Sequence, residues 1–334
     1  MTVGPDVVSP TSPIGDPEAV LSGAGSARIE GRSLGRIAWT RLKRDRVAMA
    51  GGAVVLFLVF VAIFAPLIVK VLGHPPNDYN NDLIDPNLGG LPKGSLGGIS
   101  GDHLLGVVPV SGRDLFSRIV YGARVSLTVA FLASVVSVVI GGVLGVVAGY
   151  FGGIIDAAIS RLMDLLLAFP QLLFTIALVS VVPNKLFFLT GTVERMAVLI
   201  MVIGFFGWPY IGRIIRGQTL SLREREFIDA SRSLGATSFR VVFKELLPNL
   251  VAPILVYATL VIPTNILTEA ALDFLSVGVQ PPTASWGQMF NDSLQFYQFD
   301  PMYMIIPGAT IFICVLAFNL FGDGLRDALD PKSR

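Results

Sequence analysis

Three side chains that could do chemistry recur at helical spacing inside an apolar run. Asn265, Glu269 and Asp273 are each four residues from the next, so a helix places all three on one face. A carboxylate at mid-bilayer costs about 2.5–3.5 kcal/mol on an insertion scale, so this face must avoid lipid. Two uses fit: lining the outer half of a water-filled path, or capping a helix end at the interface. Asp164 is another acid in an apolar run. With Asp273 it would make a carboxylate pair for hydrolytic acid–base work, but the spans below put Asp164 near the inner side and Asp273 near the outer. His74 and His103 stand apart from each other and from any cysteine, without metal-ligand spacing, and read as solvated histidines. The single cysteine, Cys314, reads as a small buried hydrophobe. No G-x-x-x-x-G-K-[ST] phosphate loop occurs, and no nucleophile has a base at readable spacing. The residues point away from catalysis, metal binding and ATP hydrolysis by this chain.

The second constellation is ionic. Residues 213–248, RIIRGQTLSLREREFIDASRSLGATSFRVVFKELLP, carry seven Lys/Arg against four acids and lie between long apolar runs. Positive loops stay with the cytoplasm, so this stretch is expected inside, within reach of a cytoplasmic partner. Its grammar is helix, turn, helix. Ser221 caps a first helix, with Glu224 as the capping-box acid. Gly235 stops that helix after Leu234. Thr237 or Ser238 caps a second over 239–247, and Pro248 takes a first-turn position of the next apolar helix. Phe227, Ala230 and Leu234 give the first helix an apolar stripe.

The elements that must hold these groups follow from composition and charge. The chain is 53% hydrophobic and 15% charged, against roughly 25% charged in soluble domains. Its net charge of +1 gives no hint of nucleic acid. Residues 1–31 are rich in Pro, Gly, Ser and Ala, lack a signal-peptide pattern, and read as a disordered cytoplasmic tail. Residues 32–46 hold six positive charges around Trp39 and predict a short interfacial helix that keeps the N-terminus inside. Residues 47–334 form the membrane domain, with spans at about 47–69, 125–148, 159–182, 196–215, 249–278 and 302–321. The long polar segment 70–122 lies outside. Gly141, Gly145 and Gly149, with Gly142 beside them, predict close helix packing. Arg161 and Asp164 are spaced to pair. Pro170 is placed to kink span three, and Gly204, Gly207, Pro209 and Gly212 to bend span four. Lys and Arg are missing between Lys244 and Arg326, so the loop 279–300 is outside and the tail 322–334 inside. The runs are too long and too uniform for barrel strands. The expected fold is an all-α polytopic membrane protein of six transmembrane helices with both ends cytoplasmic.

A resemblance rests on particular residues. Asp229-Ala230-Ser231, Gly235 and Leu246-Leu247-Pro248 resemble the EAA loop of ABC-importer permeases, with Asp for the first Glu and Ser for the second Ala. The segments REREFIDASRSLGATSFRVVFKELLPN, LSVGVQPPTASWGQM and LAFNLFGDGLRDALDP are similar to the dipeptide/oligopeptide (DppC/OppC-like) branch, and the likeness covers about residues 34–331. One departure stands out. That family shows Leu-Gly-Thr-Asp before Gly-Arg-Asp, whereas this chain runs from Gly106 to Gly112 through Val107-Val108-Pro109-Val110-Ser111, one residue longer. The resemblance implies a type I ABC-importer permease forming half of a translocation path. It assigns ATPase coupling to Glu226, Asp229, Ala230, Ser231, Gly235, Leu247 and Pro248. It implies no cofactor on this chain, with ATP and Mg on the ATPases. The implied partners are a second homologous permease, one or two ATPase subunits, an exported substrate-binding lipoprotein and a di- or oligopeptide, all at the bacterial cytoplasmic membrane. Nickel chelates, glutathione or haem are alternative solutes. An ATP-independent channel or secondary transporter is the alternative mechanism.

Overall fold

The computed structural model describes residues 34–181 and 191–329. The expected tail 1–31, much of the turn after span three and the last five residues lie outside them. The described chain is helical apart from the segment between the first and second spans. There a two-stranded ribbon, β1 (Ile84–Asp85) against β2 (Leu91–Pro92), forms with single 3-10 turns.

The helices are α1 (Leu34–Leu42), α2 (Arg46–Ile63), α3 (Ala65–Leu72), α4 (Leu115–Phe151), α5 (Gly153–Ala168), α6 (Gln171–Val181), α7 (Thr192–Arg223) and α8 (Glu226–Ser233). The continuous helical stretch Ser238–Phe274 is α9, followed by α10 (Trp286–Ser293) and α11 (Pro301–Leu329). Five of these are long and apolar enough to cross a membrane: α2, α4, α7, α9 and α11. The pair α5 and α6 makes a sixth as one broken span, bent by 87°. The break falls at Phe169 and Pro170, as a proline without an N–H and with a ring against the preceding turn requires. The first span also breaks, at Phe64, ahead of Pro66.

Three boundaries differ from the sequence expectation. The outer segment ends at Asp114 rather than 122, because Asp114 caps α4 by accepting from the backbone N–H of Ser117 at 2.8 Å. The charged tail is helical to Leu329. Its inner end packs Ala328 against Ala38 and Leu42 of α1, so the basic helix is seated on the bundle while Trp39 stays exposed. Helix α7 passes through Gly204, Gly207, Pro209 and Gly212 as one continuous element.

Those glycines explain the centre of the bundle. A Cβ at Gly141 would fall 2.7 Å from the Trp208 carbonyl oxygen, one at Gly145 2.7 Å from that of Gly212, and one at Gly149 2.7 Å from Thr219 Cβ. From the other side, a Cβ at Gly204 would meet Val136 at 2.6 Å. Ser137 Oγ donates to the Gly204 carbonyl at 2.9 Å. Small residues let backbones approach where lipid supplies no hydrophobic force between helices. The contacts advance in the same sense along both helices, so α4 and α7 are parallel. Parallel spans need a crossing back between them, which the broken α5–α6 pair supplies. Cys314 is fully buried in the cluster between α11, α2 and α4.

Gly145→Leu is expected to lower the melting temperature of the purified protein strongly, since overpacking costs about 1–3 kcal/mol or more. Gly142→Leu is the control, because a Cβ at Gly142 meets nothing within 4 Å. Equal melting of the two variants would refute the close helix contact.

Candidate functional site

The charged stretch is built as a short elbow between α7 and α9. Helix α7 runs two residues farther than Ser221, so Ser221 is interior to it and caps nothing. Helix α8 begins after Arg225, which provides no side-chain cap. The reason lies across the bundle. Arg223 donates to the carbonyl oxygens of Gly149 and Tyr150 at 3.3 Å each, covering the open C-terminal carbonyls of α4 and holding α7 helical to that point.

At the far end of α8 the turn is as the sequence predicts. Gly235 has φ +81°. Its N–H donates to the Arg232 carbonyl at 2.9 Å, and that of Ala236 to Ser231 at 3.1 Å, the paired bonds of a Schellman stop. Thr237 Oγ1 then accepts from the Arg240 N–H at 3.4 Å.

The apolar stripe of α8 faces outward and a different residue anchors the helix. Ile228 is the buried anchor, packed with Tyr150, Ile215, Val241, Leu246 and Leu250. Phe227, Ala230 and Leu234 face out, Leu234 at 90% exposure, alongside exposed Glu226 and Asp229. Three of the basic residues serve the fold. Arg223 is described above, Arg216 grips Asp156 with its Nη2 at 2.7 Å from Oδ2, and Arg213 pairs with Asp164 at 2.5 Å. Asp164 is therefore tied to Arg213, not to the Arg161 that spacing suggested.

The second predicted helix and the fifth span are one element. Val241–Leu246 is a π turn running directly into Leu247–Phe274, and the N–H of Leu247 reaches back to Val242. A widened turn just ahead of Pro248 relieves the clash its ring would make with the carbonyl four residues earlier. Leu247 is half-buried and Pro248 exposed. At about 1.5 Å per residue, α9 is a rod of roughly 55 Å from elbow to outer end.

The acid stripe sits at that outer end. Asn265, Glu269 and Asp273 are 3%, 0% and 1% exposed. Asn265 Nδ2 donates to Ser134 Oγ at 2.9 Å, and Ser126 Oγ donates to Glu269 Oε1 at 3.0 Å. Asp273 accepts from the Val279 N–H at 2.6 Å and from Ser285 Oγ. The stripe is thus closed against α4 and the loop leading to α10, which corrects the expectation that it lines an open water-filled path. A helix face bearing polar groups found serines on a neighbouring span rather than water. Arg195 adds to the same seam, donating to the carbonyls of Gly278 at 3.0 Å and Val179 at 3.2 Å. Asp164 and Asp273 thus have separate partners and form no acid pair.

The outer segment holds a further correction. His74 and His103 are not isolated: their rings stack at 4.4 Å, and His103 Nδ1 lies 2.8 Å from Asp114 Oδ1. Donor atoms of His74, His103 and Asp114 lie within 4.8 Å of one another. Asp114 Oδ2 accepts from Ser117 N and Oγ, so one carboxylate oxygen braces the start of α4 while the other holds His103.

Spacing along one chain could not show the serines at 126, 134 and 285, nor the carbonyl contacts of Arg223 and Arg195. The only hint was that a buried acid needs a donor.

Known proteins match this architecture. The model of binding-protein-dependent transport system inner membrane components matches residues 141–334, and that of the N-terminal TM domain of oligopeptide transport permease C matches residues 33–89. The dipeptide transport system permease protein DppC of Alkalihalophilus pseudofirmus is 40% identical over 299 residues, 90% of each chain. The glutathione transport system permease protein GsiD of Escherichia coli is 39% identical over 294 residues, 88% of this chain and 89% of that protein. The fold is similar to that of an inward-facing MetNI methionine ABC transporter structure, with TM-score 0.50 and 22% identity over 65% of this chain and 98% of that one. An all-helical bundle of five to six spans without catalytic residues, matched in this way over most of its length, belongs to the family of binding-protein-dependent transport inner-membrane components, the non-catalytic permease subunits of ABC transporters.

Proposed function

We propose that this chain is one of two similar permeases enclosing a solute path, driven by cytoplasmic ATPases and supplied by an exported binding protein, with short peptides as the solutes. Both chain ends and α8 face the cytoplasm in this reading. The observation that carries it is the mechanical continuity from α8 to the outer end of α9. An exposed helix with an apolar and acidic outer face (Phe227, Ala230, Leu234, Glu226 and Asp229) is anchored inward through Ile228. It is followed by a fixed turn at Gly235 and an unbroken helix to Phe274. A push on α8 is passed along that rod instead of being absorbed by a loose linker. Ser231 accepts in the stop motif, and Leu247 and Pro248 sit where the widened turn joins elbow to span. ATP and Mg belong to the partner subunits.

The peptide assignment draws on the two relatives named for a dipeptide and for glutathione, both short chains with free carboxylates. In this proposal the buried stripe of Asn265, Glu269 and Asp273 braces the outer end of α9 against α4, so that the rod moves as a unit with its neighbour.

Gly235→Leu forces a side chain into a left-handed position, which costs about 1–2 kcal/mol. In the reconstituted complex it is expected to abolish uptake while ATP hydrolysis continues, and Gly235→Asn, which tolerates that conformation, is expected to restore uptake. Full uptake with Gly235→Leu would count against the lever. Leu234→Cys, in a Cys314→Ala background, should react with an impermeant thiol reagent in inverted vesicles and not in intact cells. The opposite pattern would reverse the orientation. Asp273→Ala leaves the Val279 N–H and Ser285 unpaired and is expected to destabilise the protein by about 1–3 kcal/mol, read as a lower melting temperature. Unchanged melting together with weakened solute binding would return Asp273 to the solute path.

A further inference from the structure

The outer end of the bundle contains a small cavity that the coupling mechanism does not use. It measures about 280 Å3 and lies between the start of α4, the 108–111 segment, α10 and the start of α11. Among the described residues, ten buried side-chain N and O atoms lack a hydrogen-bond partner. Five of them belong to residues lining this one cavity: Ser111 Oγ, Arg113 Nε, Arg118 Nε, Gln288 Oε1 and Tyr303 Oη. Buried polar groups are ordinarily paired, because leaving one unpaired costs about 1–3 kcal/mol. Such a concentration in one place marks a missing occupant.

The occupant's chemistry follows from the lining. Arg118 is 2% exposed. Its hydrogen bonds to the carbonyls of Pro76 and Pro282 are long, 3.4 Å each. Among the described residues no carboxylate forms an ion pair with Arg113 or Arg118. Asp292 in the same lining offsets part of this charge without reaching ion-pair distance; a buried guanidinium so weakly matched is costly, and a carboxylate is the planar partner that fits its donors. Tyr303, 1% exposed, adds an O–H donor, and Ser111 another. Gln288 Oε1 and the carboxylate of Asp292, also in the lining, are acceptors and disfavour a doubly charged anion such as phosphate. Together they call for a monoanion with an N–H beside it. The volume is at the small end for a ligand pocket, enough for one terminal residue. The wall of residues 108–111 falls in the stretch where this sequence departs from the Leu-Gly-Thr-Asp pattern.

We propose that this cavity is a subsite for the C-terminal residue of a short peptide, its carboxylate held by Arg113, Arg118, Tyr303 and Ser111 and its backbone N–H by Gln288 and Asp292. The peptide class rests on the function proposed above. The carboxylate chemistry does not, and an acidic side chain of the exported binding protein is the other source it admits.

The test uses the full-length, tag-free chain in lipid nanodiscs, with three probes in calorimetric titration: alanyl-alanine, alanyl-alanine amide, and N-acetyl-glutamate methylamide. Alanyl-alanine is expected to bind, and its amide about tenfold more weakly or less, as loss of a charge-assisted contact implies. Arg113→Gln should weaken alanyl-alanine binding by about tenfold, and Tyr303→Phe by about threefold, at unchanged melting temperature. Arg113 is partly exposed, its other contacts being a hydrogen bond to and stacking on Tyr79, and the Tyr303 hydroxyl lacks a partner, so both changes threaten the fold less than Arg118→Gln would. Binding of blocked glutamate in place of the dipeptide, lost in Arg113→Gln, supports the carboxylate site with the protein as its source. The site is overturned if none of the probes binds at millimolar concentration, if dipeptide and amide bind equally, or if both variants bind as the parent does. Uptake by the assembled complex is a separate measurement. Intact peptide uptake without probe binding removes the subsite and leaves the importer standing.

Discussion

The structure depends on backbone meeting backbone between α4 and α7. Lipid tails are as apolar as leucine, so no hydrophobic force drives two spans together, and attraction must come from dispersion and polar contact at short range. Glycines on both helices allow that range: the hypothetical Cβ positions of Gly141, Gly145, Gly149 and Gly204 all collide with the partner helix. Because the register of these contacts advances in one direction on both helices, the pair is parallel, and the chain must cross back between them, as the broken α5–α6 pair does. The proline break at the middle of that return and its 87° bend are tolerated because the parallel pair fixes where both ends must be.

From this rigid pair the two ends of the molecule take different characters. At the end that carries the elbow, α4 and α7 stop close to each other. Arg223 of one covers the last carbonyls of the other, while Tyr150 and Ile215 receive Ile228. The elbow is thus seated on the pair by one apolar anchor and one guanidinium, leaving its outer face free. At the outer end, α4 presents Ser126 and Ser134 to Glu269 and Asn265 of α9. The same two-helix unit therefore holds both ends of α9, a helix as long as α4 itself. An isolated amphipathic loop would slide on the membrane surface, whereas a loop fixed at Ile228 and continuous with α9 has only the motions of the bundle.

Much of this was legible in residues close together in sequence. Six apolar runs, the glycine spacing at 141, 145 and 149, the break at Pro170 and the turn at Gly235 are each set by local geometry, and each stands where the sequence places it. What could not be read were partners from elsewhere in the chain. The stripe Asn265, Glu269, Asp273 announced a polar face but not whether water or serine would meet it. Ser221 looked like a cap because its neighbours fit a capping box, yet Arg223 had a stronger use at the end of α4. The spacing of Phe227, Ala230 and Leu234 shows an apolar stripe but not which way it faces, and it faces out. The bundle instead offered a pocket one residue along, at Ile228, and on a helix of eight residues a shift of one position turns the whole element by about 100°. The histidines were misjudged for the same reason: residues 74 and 103 are far apart in sequence and meet only when the outer segment folds back onto the start of α4.

The same reasoning separates two kinds of buried polar group in this chain. At the acid stripe, Ser126 and Ser134 of α4 meet Glu269 Oε1 and Asn265, and Val279 and Ser285 of the following loop meet Asp273, so that of the stripe's buried side-chain oxygens Glu269 Oε2 alone lacks a partner. At the outer cavity the count is reversed. Two guanidiniums, a phenol and a hydroxyl converge with few acceptors facing them. Burial by itself does not distinguish these cases, since Glu269 and Arg118 are both nearly inaccessible. What distinguishes them is whether the fold supplies the partner. A bundle held as tightly as α4 and α7 could have closed over Arg118 had an acid stood at 108 or 111. With valine and serine there, the charge is left facing a space, and a space lined by unpaired donors is where an anion from outside the chain gains most by entering.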